Sequence, residues 1–204
     1  NDVVVVDRNC HKSIEQGLML TGAKPVYMVP SRNRYGIIGP IYPQEMQPET
    51  LQKKISESPL TKDKAGQKPS YCVVTNCTYD GVCYNAKEAQ DLLEKTSDRL
   101  HFDEAWYGYA RFNPIYADHY AMRGEPGDHN GPTVFATHST HKLLNALSQA
   151  SYIHVREGRG AINFSRFNQA YMMHATTSPL YAICASNDVA VSMMDGNSGL
   201  SLTQ

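Results

Sequence analysis

The sequence predicts an α/β fold in which a mainly parallel sheet is flanked by helices. Short β-rich runs alternate with helical stretches along the chain, and this alternation is typical of parallel strands joined by helices. The first run, Val3–Asp7, consists almost entirely of valine, as expected for a strand that is buried on both faces. No internal repeat or low-complexity block interrupts the pattern.

Composition narrows the class of protein. A chain of 204 residues with 41% hydrophobic residues can bury one substantial core. The formal net charge of −1 gives no electrostatic reason to expect nucleic acid, whose binders usually show a basic stripe. The sequence contains no run of about 18 apolar residues, the length that is needed to span a membrane. We therefore expect small molecules or other protein subunits as partners.

Five cysteines are present, with no CxxC pair and no zinc-ligand spacing. They are expected to be reduced, unreactive thiols of a cytoplasmic protein, and no metal site is predicted. A nucleophilic cysteine remains an alternative, but it would need a nearby base that the sequence does not identify.

The first half of the chain has recognisable start and stop signals. After the strand Val3–Asp7, a helix is predicted from Cys10 to Leu20, and it should end near Gly22 because glycine is favoured just beyond a helix. Pro25–Val29 is the next predicted strand. Pro48–Ser56 should be helical, since proline is accepted in the first turn.

The second half repeats the alternation. Asn85 and Glu88 have the spacing of a capping box, which predicts a helix that reaches Lys95. The other predicted elements are strands at Tyr71–Asn76, Leu100–Asp103, Thr133–Thr137 and Ser151–Val155, and helices near Phe164–His174 and Ile183–Met194.

Polar and charged residues occur where four of the predicted strands end. In open α/β sheets, ligands bind beyond the carboxyl ends of the strands. These residues should therefore share one pocket. They are Asp7, His11, Asn76, Thr78, Asp103, Glu104 and the segment His138–Lys142.

The segment Phe102-Asp103-Glu104-Ala105-Trp106 places a carboxylate at the end of a buried strand. Such a group needs a partner, because an unpaired buried charge is costly. A protonated pyridine nitrogen of a cofactor is one suitable partner for Asp103. A neighbouring helix terminus or an arginine is the structural alternative.

The segment from Thr137 to Leu144, THSTHKLL, places a lysine just after the fifth predicted strand. Lysine forms imines with carbonyl cofactors through its neutral amine. If a helix starts near Thr140, Ser139, Thr140 and the first amides of that turn could bind a phosphate. The alternative is a capped helix with a solvent-facing Lys142.

These segments resemble the bacterial ornithine/lysine/arginine decarboxylases, a pyridoxal-phosphate family of fold type I. The resemblance rests on DEAWYGYARF, THSTHKLLNALSQAS, DRNCHKS and TNCTYDGVCYN, and it extends over essentially the whole chain. It implies that residues 1–204 form the central part of the large cofactor domain. The N-terminal wing domain, the main phosphate loop and the C-terminal small domain of the family would then lie outside this sequence.

The resemblance also implies a role for each site residue. Lys142 would bind pyridoxal phosphate covalently and Asp103 would pair with its pyridine nitrogen. His11 and Ala105 would pack on opposite faces of the ring, and Trp106 would line the pocket. Ser139 and His141 would contact the phosphate or position the substrate, and Lys142 or His141 would donate a proton to the substrate Cα. One of Thr176, Thr177 and Ser178 would reach a neighbouring subunit's phosphate.

Within the family, the motifs are interpreted as those of an acid-inducible arginine decarboxylase, which converts L-arginine to agmatine and consumes a proton in acid resistance. A lysine or ornithine decarboxylase is the alternative. The family resemblance implies a cytoplasmic homodimer that assembles into larger rings, a decamer. A catalytically silent relative should have lost Lys142 or Asp103, and an aminotransferase should hold an arginine for the substrate α-carboxylate.

Overall fold

The computed structural model describes residues 2–125, 127 and 129–203. Six strands within these residues form one sheet in the order β2-β1-β3-β4-β5-β6. Strands β1 to β5 run parallel, whereas β6 is antiparallel to β5. The predicted fold class is thereby confirmed. The strands are β1 (Val3–Asp7), β2 (Lys24–Met28), β3 (Tyr71–Thr75), β4 (Arg99–Asp103), β5 (Thr133–His138) and β6 (Tyr152–Arg156).

The direction of β6 follows from its connection. A parallel return needs a crossover that spans the sheet, usually through a helix. The segment 139–151 between β5 and β6 contains only a single helical turn, so the chain turns back beside β5. The sequence alone did not predict this reversal.

The helices are α1 (Lys12–Thr21), α2 (Pro48–Glu57), α3 (Ala86–Leu93), α4 (Thr140–Leu143), α5 (Phe164–His174), α6 (Tyr181–Met194) and α7 (Gly196–Leu202). Two predicted helix boundaries are confirmed. Gly22 ends α1 in the left-handed conformation, with φ of 65°, and the Asn85 side chain accepts a hydrogen bond from the Glu88 amide at 3.0 Å. Short 3₁₀ turns lie at Pro43–Met46, Lys62–Lys64, Ala110–Phe112 and Pro114–Tyr116.

The sequence analysis did not predict α7, because its two glycines disfavour a helix. Packing explains one of them. A Cβ atom added at Gly199 would lie 1.8 Å from the Met194 carbonyl oxygen, so only glycine allows α7 to approach the end of α6 this closely.

The main core lies on one face of the sheet. Val5, Val74 and Phe102 project from neighbouring strands and pack against Leu51 of α2 and Leu93 of α3. Full burial of a side chain such as Phe102 contributes about 1.5–3 kcal/mol relative to leaving it exposed. Among the described residues, no helix has both the length and the apolar character needed to cross a membrane.

Candidate functional site

A cavity of about 160 Å³ lies at the carboxyl ends of the central strands. It brings together six of the seven predicted site residues, whereas His141 does not line it. A larger, more open cavity of about 570 Å³ lies beside Arg111 and Asp195, away from these strand ends. The lining residues of the smaller cavity are Asn9, His11, Ser13, Thr75, Cys77, Tyr79, Asp103, Ala105, Trp106, Thr137, Ser139 and Lys142.

Strand register explains why Asp103 belongs to this cavity. Asp103 pairs with Thr75 of β3 and with Thr137 of β5, and residues in register project from the same face of a sheet. All three side chains therefore meet at one strand edge. Thr75 and Thr137 were not predicted as site residues, because the pairing of separate strands is not visible in the sequence.

The Asp103 carboxylate is only 8% exposed. Its Oδ1 accepts a hydrogen bond from the Ala105 amide at 3.2 Å, and in the described part of the chain no hydrogen bond reaches its other oxygen. Asp7, the last residue of β1, accepts hydrogen bonds from the amides of Asn9 and Thr75. Burial raises the pKa of Asp7 above its usual value. One carboxylate oxygen of Asp103 is thus available to a ligand.

Lys142 lies in α4, the single turn that follows β5. Its Nζ lies 4.9 Å from the centroid of the Trp106 ring, and among the described residues it makes no ion pair. An ammonium group over an indole face is attracted only weakly, so the nitrogen remains available for chemistry. The structure therefore brings the lysine and the acid of the two motifs to the same cavity.

Trp106 Nε1, a buried polar atom at this cavity, has no hydrogen-bond partner within the described residues. Buried polar atoms are nearly always paired, so unpaired ones at a cavity suggest that a polar ligand binds there. An amine, a carboxylate with a free oxygen, an indole N–H and a hydroxyl suit a cofactor with a carbonyl group and a ring nitrogen. The residues present fit the expected pyridoxal phosphate.

His11 is the N-cap of α1. Its Nδ1 accepts a hydrogen bond from the Ser13 amide at 3.3 Å and lies 2.9 Å from the Ser13 hydroxyl. An accepting Nδ1 places the proton of the neutral ring on Nε2. The cap thus orients the imidazole, and the ring-stacking roles of His11 and Ala105 stay predictions.

The turn around Lys142 differs from the sequence-based expectation in one respect. The amides of His141 and Lys142 already donate to the carbonyl oxygens of Ala150 and Ser139, and the Thr140 hydroxyl donates to Asn187 of α6. The motif had suggested that these groups bind a phosphate, but their hydrogen bonds within the protein leave them unavailable for it. Ser139 does line the cavity.

His141 is turned toward Ala150. Its Nδ1–H donates to the Ala150 carbonyl oxygen at 2.8 Å. Thr176, Thr177 and Ser178 lie in the exposed segment between α5 and α6, where the Ser178 amide donates to Thr176 Oγ1 at 3.1 Å. The roles proposed for these four residues from the family resemblance stay predictions.

The predicted single pocket divides into two polar regions, because successive strand residues point to opposite faces. Glu104 points away from Asp103 and is fully buried. Its Oε1 accepts from Asn76 Nδ2 at 2.9 Å and from the Ala121 amide at 2.8 Å, and its Oε2 accepts from His138 Nε2 at 3.0 Å. Glu104 thus ties together the ends of β3, β4 and β5 beneath the cavity.

Glu104→Ala should lower the free energy of unfolding by about 2–4 kcal/mol, because it leaves buried donors without an acceptor. Urea unfolding followed by circular dichroism measures the change. Glu57→Ala is the matched control, since the Glu57 side chain is exposed and pairs with Lys53 at the surface. A loss in Glu104→Ala no larger than that of the control would contradict the structural role.

Comparisons with known proteins match the whole chain. The family model described as "Orn/Lys/Arg decarboxylase, major domain" matches residues 1–204. Lysine decarboxylase LdcA of Pseudomonas aeruginosa is 52% identical over 100% of this chain and 27% of its own length. The inducible lysine decarboxylase of Escherichia coli K12 is 46% identical over 96% of this chain and 26% of its own length. The constitutive ornithine decarboxylase of the same strain is 37% identical over 97% of this chain and 29% of its own length.

Solved structures agree with these similarities. Lysine decarboxylase A from Pseudomonas aeruginosa superposes with a TM-score of 0.88 at 51% identity, over 100% of this chain and 27% of that one. The Francisella novicida lysine decarboxylase LdcF superposes with a TM-score of 0.87 at 44% identity, over 98% of this chain and 26% of that one. The chain thus spans about a quarter of the length of the proteins that it matches.

Proposed function

Because the chain belongs to the Orn/Lys/Arg decarboxylase family, we propose that it forms the central part of the large domain of a pyridoxal-phosphate-dependent decarboxylase of basic amino acids. The observation that carries this proposal is that Lys142 and Asp103 line one cavity. A catalytically silent relative would be expected to lack one of these two residues.

Bound pyridoxal phosphate would supply an electron sink for the electron pair that remains at Cα when CO₂ leaves. Lys142 would hold the cofactor covalently through Nζ. Asp103 would keep a proton on the pyridine nitrogen, since its free oxygen is the acceptor that this cavity offers. Burial of the carboxylate strengthens that interaction, because the dielectric constant is lower away from water.

The remaining lining residues would position the ring and the reacting amino acid. His11 would lie against one face of the ring, with its orientation set by the α1 cap, and Ala105 would leave room on the other. Trp106 lies beside the Lys142 amine, and its indole N–H has no partner in the part of the chain that the structure describes.

Reprotonation of Cα requires a proton donor at the cavity. Lys142 is the better placed of the two predicted candidates, because the His141 ring donates to Ala150 and does not line the cavity. The net reaction converts an amino acid and a proton into an amine and CO₂. Each turnover would therefore consume one proton, which is the basis for a role in acid resistance.

The substrate expected from the motifs was arginine, but the comparisons favour the lysine alternative. The relatives at 52% and 46% identity are named lysine decarboxylases, and ornithine decarboxylases follow at 37%. These names do not support arginine. We therefore propose L-lysine as the first substrate to test, with arginine and ornithine as competitors.

Release of CO₂ from each of the three amino acids by the full-length, cofactor-loaded protein tests this proposal. We expect kcat/KM for lysine to exceed that for ornithine by about 10–200-fold, the usual discrimination for one methylene group. A preference for arginine would restore the original substrate expectation. No CO₂ from any of the three would overturn the proposed function.

Assembly and location are further proposals based on the family resemblance. The protein would be a cytoplasmic homodimer that assembles into decameric rings, and Thr176, Thr177 or Ser178 would reach a partner's phosphate. The 160 Å³ cavity is smaller than the roughly 300–1,000 Å³ of typical ligand pockets, which supports a site completed by other residues. Light scattering of the full-length protein at acidic and neutral pH would measure the assembly.

A further inference from the structure

The loop between β3 and α3 folds back on itself beside the cavity. The Thr78 amide donates to the Val82 carbonyl oxygen at 3.0 Å, and the Val82 amide donates to the Thr78 hydroxyl at 3.2 Å. Gly81 makes the turn possible with a φ of 81°. The two arms of the loop therefore run antiparallel on either side of this turn.

A second contact extends the same register. Asn76 Oδ1 accepts from the Tyr84 amide at 3.0 Å, so Cys77 and Cys83 lie opposite each other between the two contacts. A disulfide needs a Cα separation of roughly 4.4–6.8 Å. The contacts on either side of the two cysteines hold the arms of the loop together and bring Cys77 and Cys83 near each other.

The two thiols are chemically different. Both are free, Cys83 is exposed and Cys77 is half-buried. The neighbouring Cys77 thiol lowers the pKa of Cys83 to about 7, whereas the nearby Cys83 thiol and burial raise the pKa of Cys77. Burial raises the pKa of Cys10 to about 11. Of the two thiols, Cys83 is therefore the one that loses its proton at the lower pH and becomes thiolate, the reactive form.

We propose that Cys77 and Cys83 are a modification site that forms a reversible disulfide at the rim of the candidate active-site cavity. Cys77 lines that cavity, and the loop between the two cysteines carries Tyr79, whose ring packs edge-on against Trp106 at 5.6 Å. Oxidation would fix this loop beside Trp106 and Lys142. The inference does not depend on the proposed decarboxylation and revises the expectation that all five thiols are unreactive.

The oxidant is a small-molecule disulfide such as oxidised glutathione. The Cys83 thiolate attacks one of its sulfurs and forms a mixed disulfide, and one thiolate leaves and takes up a proton. Cys77 then loses its proton and attacks Cys83 Sγ, and the second small thiol leaves. Two protein thiols are oxidised and one small disulfide is reduced to two thiols. In a reducing cytosol such a bond would be transient, as in redox sensors.

Mass spectrometry of the folded, full-length protein after incubation with oxidised glutathione at neutral pH tests the proposal. The peptide that contains both cysteines should lose two hydrogen atoms, and a reducing thiol should restore its mass. Cys184, an exposed cysteine elsewhere in the chain, should stop at the mixed disulfide. The proposal would be overturned if Cys83 of the wild-type protein also remained as the mixed disulfide with glutathione, or if neither Cys77 nor Cys83 reacted.

Two variants separate the roles of the thiols. Cys77→Ser should leave a stable glutathione adduct on Cys83, whereas Cys83→Ser should leave Cys77 unmodified. Alkylation of Cys83 by iodoacetamide should rise with pH through about 7 in the wild type, and Cys77→Ala should shift this rise to higher pH because the neighbouring thiol that lowers the pKa of Cys83 is lost. An unchanged pH profile in Cys77→Ala would show that the two thiols do not interact.

Discussion

Lys142→Ala is expected to lower kcat/KM of the full-length protein by at least about 10³-fold, equivalent to about 4 kcal/mol of transition-state stabilisation. The variant removes the amine that faces the cavity, which no other lysine of the described lining can replace. It should also lose the visible absorbance of covalently bound pyridoxal phosphate. Borohydride reduction should attach the cofactor to the peptide around Lys142 in the wild type alone.

Lys87→Ala provides the matched control. Lys87 pairs with Asp91 on the surface of α3, so its loss should leave both absorbance and turnover near wild-type values. Circular dichroism should show that both variants are folded. Normal turnover or a retained cofactor attachment in Lys142→Ala would refute the assignment of Lys142.

Asp103→Asn should lower kcat by about 10²–10³-fold, the usual effect of removing one preorganised electrostatic contact to a transition state. The amide is nearly isosteric with the carboxylate but cannot hold a positive charge on the pyridine nitrogen. Cofactor attachment to Lys142 should persist, because the lysine is intact. Turnover, cofactor absorbance and borohydride labelling measured on the same preparation would distinguish lost chemistry from lost binding.

Asp98→Asn is the control for this change. Asp98 lies just before the first residue of β4, at the end of the strand opposite to Asp103, and pairs with Lys68 and Arg159 near the surface. Its loss should change kcat less than about twofold, since a surface ion pair contributes little and lies far from the strand ends that form the cavity. A comparable fall in both variants would mean that Asp103 acts through general stability and not through the cofactor.

The fold was largely predictable from local signals. Each of the six strands begins and ends within one residue of its predicted bounds, because runs such as Val3–Asp7 combine β-branched residues with flanking turn residues. The caps at Gly22 and Asn85 were predictable for the same reason, since a helix terminus is decided within a few residues. By contrast, α7 was not predicted, because its two glycines disfavour a helix and the close approach of Gly199 to the Met194 carbonyl oxygen becomes visible only in the folded chain.

The sequence by itself indicated the two residues that we propose to carry the chemistry, because an acid at a strand end and a lysine after the next strand are local features of Asp103 and Lys142. Tertiary structure alone decided which of the neighbouring polar groups share their cavity. Alternation along β4 separates Asp103 from Glu104, and a hydrogen bond to Ala150 turns His141 away. Strand register and loop closure join residues that are far apart in sequence, and for that reason Thr75, Thr137 and the facing pair Cys77 and Cys83 emerged only from the folded chain.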